Sequence, residues 1–193
     1  YAAGFVQGTA GRTENNNFKD YYGAVSYKVG GHGVVGPRAD VGEGAGNKAE
    51  RSVAVGAFAY TGRGLPTATG ISEDRFSRAG VKVDAWAGKM NLFGAYARGT
   101  DDLRGTAART IEAHASMLQA DYMVLPWVMP SVRIERTSYS DRRTIVALVS
   151  AVSVLVRANV RVLGESRIYN DVRSATGARV NANDGVVRLE FLF

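Results

Sequence analysis

Residues 184–193 read Asp-Gly-Val-Val-Arg-Leu-Glu-Phe-Leu-Phe. In an extended chain the side chains alternate between faces. Val187, Leu189, Phe191 and Phe193 then form one apolar row, and Val186, Arg188, Glu190 and Leu192 form the opposite one. Such a strand needs two media, an apolar one on one side and water on the other. That requirement restricts the fold more than any other feature of the chain.

Composition narrows the choice. The 193 residues suffice for one domain or for part of a large barrel, and an apolar fraction of 46% is that of an ordered protein. Cysteine is absent from the sequence. Disulfides, thiolate metal centres and covalent haem attachment within these residues are therefore excluded. The chain opens as Tyr1-Ala2-Ala3-Gly4-Phe5, already strand-like, which suggests a processed chain or the C-terminal part of a longer one. The net charge is +6, but its basic residues are scattered, and the longest run is Arg142-Arg143. Nucleic-acid binders concentrate charge on one face, so no nucleic-acid role is expected. A cationic surface beside anionic lipid head groups accounts for the charge. No segment reaches the ~18 apolar residues of a transmembrane helix. The longest apolar run, Ile145 to Val156, is interrupted by Ser150 and Ser153 and reads as one strand and a turn.

Ten segments have strand character, at about 1–11, 18–30, 51–62, 75–87, 91–99, 111–124, 130–139, 143–154, 159–169 and 185–193. Tyr21, Val25, Tyr27 and Val29 oppose Asp20, Ser26 and Lys28. Ala79, Val81, Val83 and Ala85 oppose Arg78, Lys82, Asp84 and Trp86. Val132 and Ile134 oppose Arg133 and Glu135. Val160 and Val162 oppose Arg161 and Leu163, and Glu165 and Arg167 continue the polar row. The third and fifth segments are dominated by Ala and Gly, which leaves their faces open. Connections at 88–90, 125–130 and 155–158 are short, whereas 12–17, 63–74, 100–110 and 170–184 are longer and polar; 139–143 is a short exception. The alternation predicts an all-β, antiparallel up-and-down transmembrane barrel. Its ten strands occupy residues 1–193 as one domain or as part of a larger barrel. Short turns would lie on the periplasmic side, except that the long Gly-rich segment 31–50 falls there too. Tyr122 and Trp127, with Phe191 and Phe193, are expected as membrane anchors at the interface.

The runs Lys19-Asp20-Tyr21-Tyr22-Gly23-Ala24-Val25-Ser26-Tyr27-Lys28, Asn91-Leu92-Phe93-Gly94-Ala95-Tyr96, Ala120-Asp121-Tyr122 and Pro126-Trp127, with the terminal Phe193, resemble bacterial outer-membrane porin-type barrels. The likeness is to the phosphate-selective porin-like group and to barrels associated with outer-membrane cytochromes. It implies an outer-membrane location, contact with lipid, and passive diffusion of small solutes, anionic ones among them.

The expected pore lining comprises Lys28, Arg78, Lys82, Arg133, Arg161, Arg167 and Arg188. Asp20, Asp84, Asp121, Glu135, Glu165 and Glu190 face them. The near balance favours cross-strand pairing over a one-sign selectivity ring. If selectivity exists, the arginines carry it, since their planar fork fits phosphate. Two further readings stay open. One is a sheath around a multihaem cytochrome partner, whose cofactors would lie on that partner. The other is a phospholipase, because His114-Ala115-Ser116 places a base and a hydroxyl on one strand face. The neighbouring segment offers Thr137, Ser138 and Tyr139 but no orienting Asn. His32 stands alone and is a poor metal ligand; the alternative for it is a noncovalent contact to a partner's cofactor. Gly42-Glu43-Gly44-Ala45-Gly46-Asn47-Lys48 lacks phosphate-loop spacing and is followed by Ala49. No catalytic residue, metal or cofactor is expected.

Overall fold

The computed structural model describes residues 1–7, 18–31, 51–65, 72–140, 144–157, 160–173 and 179–191. They form ten strands: β1 (Ala2–Gln7), β2 (Lys19–Gly30), β3 (Arg51–Gly64), β4 (Glu73–Ala87), β5 (Met90–Arg104), β6 (Arg109–Tyr122), β7 (Val128–Tyr139), β8 (Thr144–Arg157), β9 (Val160–Arg173) and β10 (Arg179–Phe191). Each pairs antiparallel with its sequence neighbours, in one sheet ordered β1 to β10. The sheet is open: β1 and β10 are its edges. A second sheet is absent among the described residues, so no sandwich core exists there.

The strands outrun the expected segments, mainly at one end. β5 continues through Arg104 and β6 begins at Arg109, leaving 105–108 between them. Likewise β9 and β10 absorb most of 170–184. The connections there are thus shorter than expected. The reason is visible in the pairing. On the face of Tyr96, beyond that last apolar residue, Asp102 pairs opposite Arg75 and Arg104 opposite Glu73. Charged cross-strand neighbours continue the ladder where apolar ones stop. Gly88, with a positive φ of 63°, makes the two-residue β4–β5 turn at the opposite end. The two ends are called here the Gly105 end and the Gly88 end.

Directly opposed residues share a face, so the register sorts the whole sheet. Tyr27 opposes Val55, Val55 opposes Val83, and Val83 opposes Gly94. Gly94 opposes Leu118, Leu118 opposes Ile134, and Ile134 opposes Leu148. On the other face Lys82 opposes Ala95, Ala95 opposes Met117, and Met117 opposes Glu135. The ambiguous third and fifth segments thereby gain faces. Val53 and Val55 join the apolar side, with Leu92 and Tyr96, while Phe58 and Phe93 lie on the polar side.

Burial is inverted relative to a soluble protein. Val187 is 82% exposed, Tyr27 71% and Leu118 60%. Asp20 is fully buried, and Ser52, Asn91 and Asp121 are nearly so. All four belong to the polar face. Among the described residues the buried apolar side chains are only Met123, Ala147 and Val149. Among the described residues nothing apolar covers the Val and aromatic rows.

Candidate functional site

The register places twelve expected lining residues on the polar face: Lys28, Arg78, Lys82, Asp84, Asp121, Arg133, Glu135, Arg161, Glu165, Arg167, Arg188 and Glu190. It adds acids the sequence reading passed over, Asp74, Asp101 and Asp184, and the basic Arg109. Their segments lay in what read as loops, which hid the alternation.

Over β2–β5 the side chains of this face lie across glycines. Phe58 opposes Gly80, Lys82 opposes Gly56, and Phe76 opposes Gly62. Arg78 opposes Gly99. A Cβ added at Gly80 would stand 2.5 Å from the Phe58 ring, and one at Gly99 would stand 2.7 Å from Arg78 Cδ. At Gly62 it would overlap the Asp20 carboxylate. The missing methyl groups let each neighbour lie flat on the sheet. Polar groups satisfy one another above this floor. The Tyr60 hydroxyl donates to Asp20 Oδ2 at 2.5 Å, and the Arg63 amide donates to Asp20 Oδ1 at 3.3 Å. Arg78 donates to Asp101 Oδ1 at 2.5 Å and to the Thr100 carbonyl at 2.9 Å. A shallow depression of about 330 Å³ is floored by Phe58, Phe93, Ala95, Ala97 and Met117, with Lys82 and Glu135 at its margin.

Over β7–β10 charge replaces stacking. Arg133 Nε donates to Glu135 at 2.6 Å, and Arg167 donates to Glu165 at 2.9 Å. Both are i, i+2 pairs on one strand, where period-two geometry puts them side by side. Arg161 pairs with Glu190 across β9–β10, and Arg188 Nη1 lies 3.7 Å from Glu190. Arg133 also reaches Glu165 at 3.8 Å, from β7 to β9. It crosses β8 at the stretch where this face presents Ala147, Val149 and Ala151. Val149 is only 2% exposed beneath that bridge. Small apolar residues on β8 thus let charges of its neighbours meet. Toward β4 the network continues through Gln119, which donates to Asp121 at 2.9 Å, and Asn91, which donates to Asp84 at 2.5 Å.

The opposite face changes character along its length. From the Gly88 end it is Val, Leu, Ala and aromatic, then it becomes hydroxylic and charged. On that upper part the described charged residues are Lys19, Arg63, Arg75, Arg98, Arg104 and Arg136 against Glu73, Asp102 and Glu112. Tyr122 lies on the apolar face opposite Met90 and is half exposed. Trp127, in the β6–β7 turn, and Phe191 are also exposed. Phe193 lies outside the described residues, as do His32 and the segment Gly42–Lys48.

His114 and Ser116 share the apolar face, as their spacing requires. His114 Nδ1 is hydrogen-bonded to the Tyr96 hydroxyl at 2.7 Å. Opposite His114 stands Ser138, and opposite Ser116 stands Arg136. Among the described residues the imidazole is hydrogen-bonded by the Tyr96 hydroxyl and by no carboxylate or amide, so a base–hydroxyl pair lacks its third member there. Among the described residues no three His, Asp or Glu side chains gather in a metal-binding arrangement.

No protein-family model matches the chain, and no curated protein matches it. The porin-like runs therefore assign no family, and the functional reading rests on geometry.

Proposed function

We propose that this chain forms the wall of an outer-membrane β-barrel channel that passes small solutes by diffusion. One observation carries the reading: the Val and aromatic face of the sheet is solvent-exposed, while the buried polar groups Asp20, Ser52, Asn91 and Asp121 all lie on the opposite face. Lipid is the medium that suits an exposed Val and aromatic face, and a wet lumen suits a face of ion pairs. Closure is part of the proposal. In lipid each unpaired backbone group costs several kcal/mol, so the edges at β1 and β10, and the uncovered side of β2 from Val25 to Gly30, must be paired. β1 and β10 run antiparallel, which permits them to meet directly or through further strands.

The lumen so formed is lined by both signs of charge. With Asp74, Asp101 and Asp184 added, acids match or outnumber the basic residues, so the arginines confer no net preference for anions. Weak selectivity and water-filled passage follow.

The test is reconstitution of the purified chain into phosphatidylcholine vesicles and planar bilayers. The expected outcome is stepwise conductance, with a reversal potential close to zero in a salt gradient, and leakage of small sugars. Failure to insert, or insertion without conductance or leakage, refutes the channel. Haem absorbance that co-purifies with a conductance-silent barrel replaces the solute path with a cytochrome sheath.

A further inference from the structure

On the apolar face, where greasy residues give way to charged ones, lies a shallow groove of about 480 Å³. Its floor is Gly23, Ala59 and Ala79, a row of small residues opposed across β2, β3 and β4. Tyr21 closes one end and Arg98 stands at the other. Hydroxyls of Ser77 and Thr100 border its charged side. The floor continues toward the Gly88 end as valines, so the groove has an apolar direction and a polar one.

Arg98 is held by Glu112 at 3.1 Å, with both side chains about half exposed (56% and 42%). A pair of this kind is weak and readily exchanged. Two strands away, Arg136 makes no ion pair among the described residues. Ser116 lies between them, on the same rung as Arg136. Two guanidinium groups with a hydroxyl between them suit a tetrahedral phosphate, which takes several charge-assisted donors at once.

We infer that this groove binds an anionic phospholipid, its acyl chain running from the small floor of Gly23, Ala59 and Ala79 toward the valines of the Gly88 end and its headgroup phosphate on Arg98, with Arg136 beside the groove as the second donor. The inference rests on the membrane reading above. A free inorganic anion would use the arginines but leave the apolar floor idle. The excess of basic over acidic residues around this end complements an anionic leaflet.

The test is native mass spectrometry of the whole chain released from micelles holding phosphatidylglycerol and phosphatidylcholine in competition. The parent protein should retain phosphatidylglycerol selectively. The R98A/R136A variant should lose about thirtyfold in apparent affinity, the factor expected for two arginines near an anionic surface. Ala79→Phe, which fills the floor without touching charge, should weaken retention too. Equal retention of the two lipids, or unchanged retention in R98A/R136A, overturns the inference. Displacement by inorganic phosphate alone assigns the arginines to a soluble anion and also overturns it. Insertion into phosphatidylcholine vesicles separates the two readings: if the parent inserts and conducts without lipid preference, only the groove fails, whereas absence of insertion removes both.

Discussion

The two halves of the polar face keep their side chains in place by opposite means. Over β2–β5 bulky residues lie on glycines, and position is set by atoms that are missing. Over β7–β10 position is set by ion pairs that bridge a strand of small residues. The first half should therefore be intolerant of added atoms and the second of deleted charges. Gly80 and Gly164 differ for another reason, since Gly164 is paired with Val152 and Val187 on the apolar face. Gly80 is buried beneath Phe58, whereas nothing stands within 4 Å of a Cβ built at Gly164.

The largest effect is expected at the glycines. Gly80→Val must displace Phe58, at a cost of about 2–3 kcal/mol in the range of overpacked interiors. Gly164→Val should stay within about 0.5 kcal/mol. Denaturant unfolding in detergent, followed by Trp fluorescence, measures both, and equal costs would remove the distinction. Adding Phe58→Ala to Gly80→Val should return part of the loss, because the two residues are in contact.

Next comes Arg133→Ala, which strands Glu135 and leaves Glu165 to Arg167 alone. A loss of about 1–2 kcal/mol is expected, since a partly buried partner of a charged hydrogen bond is left unsatisfied. Arg98→Ala, on an exposed pair, should cost no more than about 0.5 kcal/mol in the same unfolding assay. If the two arginines weigh the same, the bridge over β8 contributes nothing special. A smaller coupling, about 0.5–1 kcal/mol, should appear between Arg133→Ala and Glu165→Gln in a double-mutant cycle. In bilayers, Arg133→Ala should move the reversal potential toward cation preference, with Gly80→Val reducing conductance instead. The same change of current in both variants would mean that the halves do not act separately.

The alternating strands were legible from sequence because Val and charged residues differ sharply in the two rows, as in β4 and β10. β3 and β5 were not, since Ala and Gly carry little contrast, and only the register reveals that Phe58 and Phe93 stand with the charges. Strand ends at Arg104 and Arg109 were missed for a related reason. The reading followed apolar residues, and there the ladder continues on charged and hydroxyl ones. For the candidate site, the identity of the charged lining was visible but its pairing was not. Arg133 and Glu165 lie on strands separated by β8, and no local spacing announces that they meet.

The glycines beneath Phe58 and Arg78 have one more consequence. In the channel proposed above, a bore bounded by side chains pressed against bare backbone has little slack for a rotamer to swing and shut it. Its calibre becomes a fixed property of the wall, adjustable over evolutionary time by a single carbon atom but not from moment to moment.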